Sequence, residues 1–353
     1  MESITEVINR ITPANEKAGE AAQRRWDSIA KPLGSLGLFE DSVVKLAALY
    51  GDPGLKPINP CLLVFCADNG VVSCGVTQCG SDVTAKVAIA LAEGRSSVSP
   101  MAAAAGCRVI PVDMGILDFA GHPGVLNRRV RNGTEDISRT AAMSREECLT
   151  AMEYGAALVR ELAEEGVNLF LIGEMGIGNT TTCAATAAAL LGLSAETVTG
   201  RGAGLSDSGL ARKREAVRCA LQVNMPDASD PTDVLTKVGG LDLAAMCGAF
   251  LGASACGAAA VIDGMISAVS ALCACCLCPA SKKAMFASHV SAEPGGQRIL
   301  DAIGLEAPIR ARMRLGEGSG AVMLLPMLDM ALRVYCSEQS FEKLGIEAYV
   351  PQN

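Results

Sequence analysis

"LIGEMGIGNTTTCAATAAALLG", Leu171 to Gly192, carries a short apolar run into glycines and then into an alanine-rich segment. It reads as a strand ending at Gly173, a glycine loop, and a helix capped by Asn179 or Thr180. Free N–H groups at such a helix start, reinforced by the helix dipole, form a seat for phosphate. The loop lacks the lysine of a P-loop and the third glycine of a dinucleotide fingerprint. A monophosphate is therefore the anion it suits, and a plain tight turn is the alternative reading.

Similar runs recur outward from this unit: "CLLVFCA" (61–67), "CRVIPV" (107–112), "VNLFLIG" (167–173), "AAAVI" (258–262) and "AMFAS" (284–288). Continuous apolar strands separated by helical stretches are the pattern of a parallel sheet covered on both faces. The expected fold is α/β, Rossmann-like. A polar residue closes nearly every run: Asp68, Asp113, Glu174, Asp263 and His289. Ligands of open α/β sheets bind beyond the carboxyl ends of the strands, so these residues should converge on one crevice. Asp113 is the exception, expected to cap a following helix. Residues 1–50 and 320–353 read as helices that pair into a small helical subdomain, leaving 51–319 as the large α/β domain.

Composition narrows the function. The chain has 353 residues, 50% of them hydrophobic, 19% charged and 3% aromatic, with a net charge of -8. Lys and Arg are dispersed, which argues against nucleic acid and anionic membranes as partners. Leu243 to Ile262 contains no charge for twenty residues, long enough to span a bilayer. Its Ala, Gly, Cys and Ser content, with Asp263 directly after it, favours a buried helix running into a buried strand. The N-terminus has neither the basic nor the apolar region of a signal peptide.

The chain holds 15 cysteines, an odd count, many within apolar segments where cysteine acts as a small hydrophobe. That usage fits a reducing cytosol. "CACCLC" (273–278) has overlapping C-x-x-C spacings, but no second such pair or neighbouring histidine completes a zinc set. No metal or cofactor site is read anywhere in the chain.

"TGRGAGL" (199–205) spaces glycines at alternate positions ahead of Arg212, Lys213 and Arg214; alone it reads as a loop and a solvated helix face. "RLGEGSGA" (314–321) sets Glu317 between glycines where a helix begins. Glu317 caps that helix, as carboxylates favour first turns, or the glycines let a substrate approach a carboxylate that does chemistry. From the residues alone the chain is a soluble α/β enzyme for a small phosphorylated metabolite, its reaction class open.

In their order, "KPLGSLGLFE" (31–40), "CADNGV" (66–71), "GEMGIGNTT" (173–181), "KVGGLDLAAMCG" (237–248), "DG" (263–264), "SHVSAE" (288–293) and "MRLGEGSGA" (313–321) resemble the nicotinate-nucleotide:dimethylbenzimidazole phosphoribosyltransferases of cobamide biosynthesis. Each motif is weak by itself; their joint order across nearly the whole chain is specific. The resemblance implies transfer of ribose 5-phosphate from nicotinate mononucleotide to an azole such as dimethylbenzimidazole, by a cytoplasmic homodimer without a cofactor. It makes Glu317 the catalytic residue and seats the phosphate on Gly176, Gly178, Asn179 and Thr180. It puts Gly202, Gly204, Lys213, Asp263 and Ser291 around the nucleotide, Glu174 near the bases, and Leu315 at the azole. Asn69 stands where relatives carry His, and Cys79 and Gly80 where relatives can show Ser and Pro, which leaves the preferred azole open. Another acceptor, such as adenine or a phenol, and a non-catalytic sensor of nucleotides or azoles also remain open.

Overall fold

The computed structural model describes residues 1–349. Six parallel strands form one sheet: β1 Pro60–Ala67, β2 Arg108–Gly115, β3 Leu126–Asn127, β4 Leu169–Met175, β5 Ala259–Ile262 and β6 Met285–Ala287, in the order β3-β2-β1-β4-β5-β6. The order reverses between β1 and β4, and that switch point is where such sheets open a binding crevice.

Period-two alternation sends each strand's side chains to two separate cores. Cys61, Leu63, Phe65 and Ala67 of β1, with Phe170 and Ile172 of β4, face helices Arg145–Glu164, Asn179–Leu191, Leu241–Cys256 and Met265–Leu277. Leu62, Val64 and Cys66, with Leu169 and Leu171, face helices Glu16–Ser28, Leu38–Tyr50, Asp82–Ala92 and Ser319–Tyr335. Burial on both faces is why these strands read as unbroken apolar runs. The expected α/β sheet with helices on both faces is the observed fold.

The uncharged stretch 243–262 is a buried helix, closed by Gly257 in a left-handed conformation, followed by β5. Its small residues have a packing cause. A Cβ on Gly252 would lie 2.8 Å from the Cα of Ala156, and one on Gly248 would collide with the carbonyl of Met152. Glycine thus lets this helix press against Arg145–Glu164 backbone to backbone. No helix of the described residues is long and apolar enough to cross a membrane.

Helices Glu16–Ser28 and Leu38–Tyr50 pack with Ser319–Tyr335. Trp26 meets Tyr335 edge-on at 5.1 Å, and Arg25 donates to the Tyr335 carbonyl at 2.9 Å. The short helix Ile4–Asn9 lies on the other face, its Ile4 and Val7 buried with helices Arg145–Glu164 and Leu241–Cys256.

Two local expectations need correction. Asp113 lies inside β2 and caps no helix. Its carboxylate accepts the Ile116 amide at 2.8 Å and pairs with Arg129 at 3.1 Å, pinning the loop after the strand. The helix after the glycine loop is capped by Gly178, at φ 93°, and neither Asn179 nor Thr180 takes that place. The Asn179 side chain is drawn inward by two buried carboxylates. β3 is only two residues long, too short for its own apolar run.

Candidate active site

A cavity of about 350 Å³ opens beyond the carboxyl ends of β4, β5 and β6. Its chemistry divides into a cationic end, a carboxylate floor and an apolar wall.

The cationic end is built on the loop between β4 and helix Asn179–Leu191. Gly176 must be glycine because a Cβ there would collide with the carbonyl of Ala67 as the loop crosses the end of β1. The left-handed turn at Gly178 points the helix start at the cavity. The N–H groups of Gly178 and Thr180 meet no protein acceptor among the described residues, and unpaired N–H groups at a helix start bind anions. Lys213, 1% exposed on helix Asp207–Asn224, donates from Nζ to Thr180 Oγ1 at 2.7 Å. Burial lowers its amine to about 8, while the Glu293 carboxylate facing it favours the charged form. Gly202 brings its backbone beside this lysine: a Cβ would stand 3.3 Å from Nζ. Its N–H donates to Glu293 Oε1 at 3.1 Å.

The carboxylate floor contains Glu174, Asp263 and Glu317. Glu174, near the end of β4, is pushed up to about 8 by burial first and by the nearby Asp242, Asp263 and Glu317 charges. The Asn179 side-chain amide donates to Glu174 and, at 3.0 Å, to Asp242 Oδ2. Asp263 follows β5 and accepts the amides of Gly318, Gly320 and Ala321 at 3.2, 2.6 and 3.2 Å. Burial raises it to about 6, against those same hydrogen bonds.

Asp263 is therefore the carboxylate that caps helix Ser319–Tyr335. Glu317, immediately before that helix, does not. It holds φ at 57° between Gly316 at 85° and Gly318 at 78°, three successive left-handed residues, rare for a residue with a side chain. The turn carries its carboxylate away from its own helix to the cavity wall, where Oε2 accepts the Val98 amide at 3.1 Å. A non-glycine residue held in this region costs roughly 1–3 kcal/mol and concentrates at functional sites.

The apolar wall comes from Val76, Val83, Val87, Met175 and Leu315, with Cys79 at its edge. It offers a flat, uncharged ligand a surface next to Glu174 and Glu317.

Of the residues singled out from sequence, Glu317, Glu174, Gly176, Gly178, Asn179, Thr180, Gly202, Lys213, Asp263, Ser291 and Leu315 all line this one cavity. Gly204 does not; it stands two residues further along its loop, at φ 105°. Among the five strand-end residues, Glu174, Asp263 and His289 line the cavity. Asp68 lies behind it, accepting Thr84 Oγ1 at 2.6 Å, and Thr84 in turn accepts the Ile177 amide at 3.1 Å. Asn69 braces the same loop, its amide 3.4 Å from the Ile177 carbonyl. Sequence reasoning missed Asp242 and Glu293. Both sit in stretches that drew attention as motifs, but Asp242 is embedded in an apolar run and nothing local marks its partner.

Among the described residues no group of three or more side chains has the arrangement of a metal site. In "CACCLC", Cys273 is buried on helix Met265–Leu277 and Cys276 is exposed, each a free thiol.

A helix start with unpaired N–H groups beside a buried lysine, carboxylates on the floor and an apolar wall give this α/β protein a cavity suited to an anionic group at one end and an uncharged ring at the other. A family model described as phosphoribosyltransferase matches residues 11–346. The nicotinate-nucleotide–dimethylbenzimidazole phosphoribosyltransferase of Acetivibrio thermocellus is 44% identical over 338 residues, 94% of this chain and 95% of that one. Its namesake from Ruminiclostridium cellulolyticum is 42% identical over 348 residues, 98% of each chain. The crystal structure of CobT from Thermus thermophilus superposes with a TM-score of 0.89 at 37% identity, covering 94% of this chain and 100% of that one. The chain belongs to the nicotinate-nucleotide–dimethylbenzimidazole phosphoribosyltransferase family.

Proposed function

We propose that the protein transfers the phosphoribosyl group of nicotinate mononucleotide to dimethylbenzimidazole or a related azole, giving nicotinate and α-ribazole 5′-phosphate for the nucleotide loop of cobalamin. The observation that carries this reading is the placement of Glu317. Relieved of helix capping by Asp263, its carboxylate stands at the junction of the apolar wall and the carboxylate floor.

The 5′-phosphate sits against Gly176, Gly178, Asn179 and Thr180, with Lys213 supplying charge and Gly202 and Gly204 shaping the adjoining loop. Asp263 and Ser291 flank the ribose side, Glu174 lies by the bases, and Leu315 covers the azole. The azole nitrogen attacks the anomeric carbon as the bond from that carbon to the pyridinium nitrogen breaks. The electron pair leaves with nicotinate, whose ring becomes neutral, so no acid is needed for departure. The other azole N–H proton passes to Glu317 as general base. Attack opposite the leaving group turns the β linkage into α. The anionic floor also favours positive charge developing on azole and ribose in the transition state.

This reading includes a helical unit of residues 1–50 with 320–353, of which 350–353 lie outside the described residues, beside an α/β body of 51–319. The packing of helices Glu16–Ser28 and Leu38–Tyr50 on Ser319–Tyr335 supports it, whereas helix Ile4–Asn9 packs on the α/β body. It also includes a homodimer. Met323, Met327, Met330 and Val334 recur at helical spacing on Ser319–Tyr335 and are exposed, Met330 by 60%, an apolar stripe suited to a second copy. Fifteen thiols without a disulfide support a cytoplasmic setting.

Incubating the protein with nicotinate mononucleotide and a panel of dimethylbenzimidazole, adenine and a phenol, with mass spectrometry of the products, tests the reading. α-Ribazole 5′-phosphate as the main product supports it. A product formed only with adenine or the phenol would reassign the acceptor, and tight binding without turnover would make the protein a sensor.

A further inference from the structure

Asp242 is fully buried on the first turn of helix Leu241–Cys256 and lies behind the cavity wall. Its surroundings are built around it. A Cβ on Gly240 would stand 2.5 Å from its Oδ1, and a Cβ on Gly176 would stand 2.9 Å from its Oδ2. Gly240 of "GGLD" and Gly176 of the loop after β4 thus make room for this carboxylate. Oδ1 accepts the Leu243 amide and Oδ2 the Asn179 Nδ2, each at 3.0 Å.

Asn179 Nδ2 has two hydrogens, and the second goes to Glu174. One amide therefore bridges two buried carboxyl groups, and the two bonds fix both the rotamer of Asn179 and the direction of Glu174. The ionisable groups facing this pair are Asp68 and Cys66 from β1 and its end, Cys183 from helix Asn179–Leu191, Asp263 and Glu317. None is basic. The Asn179 amide is the one hydrogen-bond donor the two carboxyl groups share, and Asp242 is further held by the Leu243 amide.

We propose that Asp242 is a positioning residue for the transfer reaction, acting through the Asn179 amide to aim Glu174 at the base pocket and to govern the charge Glu174 carries. The proposal rests on the functional reading only in placing Glu174 beside the base. Asp242→Asn shows the mechanism. The new amide offers one oxygen for two donors, Leu243 N–H and Asn179 NH₂, so one donor meets another donor and Asn179 must turn. Glu174 then loses both its hydrogen-bond donor and its negative neighbour. The Asp242 charge raises the Glu174 carboxyl more than the Asn179 bond lowers it, so removing both lowers the net value.

The test uses the full chain labelled with carboxyl-¹³C glutamate, Glu174→Gln assigning the resonance. In the wild type Glu174 should titrate above neutrality. In Asp242→Asn its midpoint should move to lower pH by about one to two units, the usual effect of a neighbouring like charge. The KM for the azole should rise at least fivefold while nicotinate mononucleotide binds within threefold of wild type. A wild-type Glu174 already ionised at pH 6.5 overturns the proposal without any variant. So does a folded Asp242→Asn protein with an unmoved Glu174 midpoint, or one in which kcat alone falls. The titration is read without substrate, so it stands even if the wild type makes no α-ribazole 5′-phosphate, a result that would sink the functional reading instead.

Discussion

Gly178→Ala probes the phosphate seat at the point where backbone geometry sets it. At φ 93° an L-residue is strained by roughly 1–2 kcal/mol. The added methyl would lie 2.9 Å from Val72 Cγ2 and 3.1 Å from Asn69 Cβ. Val72 can turn, but Asn69 Cβ is fixed to backbone, so overpacking adds about 1–3 kcal/mol. The sum is smaller than the roughly 5–15 kcal/mol typical of a folded domain, so the variant folds with a melting temperature lower by several degrees. Strain is relieved by the loop moving toward the cavity, which breaks the convergence of the Gly178 and Thr180 N–H groups. A hydrogen bond to a charged group contributes about 1.5–3 kcal/mol, so losing one weakens nicotinate mononucleotide roughly ten- to hundredfold. Calorimetry with nicotinate mononucleotide and with orthophosphate, beside circular dichroism, reads both quantities. A folded variant with wild-type affinity for both would refute the phosphate assignment.

Stability should fall as pH rises from 6.5 to 7.5 in the ligand-free protein, below the range in which the buried Lys45 and Lys213 amines, lowered to about 8, lose protons in the fold and oppose the trend. Glu174 titrates at about 8 in the fold and near 4 unfolded, so the folded state binds more protons across this window and loses stability as they leave. His289, lowered by burial from 6.5, opposes this only at more acidic pH, and Glu174→Gln should flatten the thermal-shift slope; an unchanged slope would contradict the account. Exhaustive chelation should leave turnover within twofold, because neither the leaving group nor the phosphate calls for a divalent ion; loss restored by Mg²⁺ or Zn²⁺ would overturn that mechanism. Met327→Lys with Met330→Lys should shift the protein to a monomer by light scattering, and an unchanged mass at micromolar concentration would remove the stripe from the dimer contact.

The sheet was legible because parallel strands buried on both faces leave unbroken apolar runs, as Cys61–Ala67 and Leu169–Gly173 do. The glycine loop was legible because a Cβ at Gly176 or Gly178 has no room. The helix cap was not. Glu317 is the acid adjacent to the helix, and local sequence favours it, but the cap is Asp263 at the end of β5, brought there only by the fold. Asp242 was hidden for a related reason: its partners come from β4 and the following helix, and its own segment is otherwise apolar. Asp113 ends a visible apolar run, yet β2 continues to Gly115, which takes it away from any helix start.

Glu317→Gln tests the central claim most directly, since it preserves shape and hydrogen bonding while removing basicity and charge. Loss of a general base costs about 10²–10⁴ in rate, so turnover of nicotinate mononucleotide and dimethylbenzimidazole should fall at least hundredfold. Because Asp263 does the capping, the melting temperature should barely move, and nicotinate mononucleotide should bind nearly as before. A variant that turns over within a few fold of wild type would contradict the account, leaving Glu317 as no more than a partner for the Val98 amide.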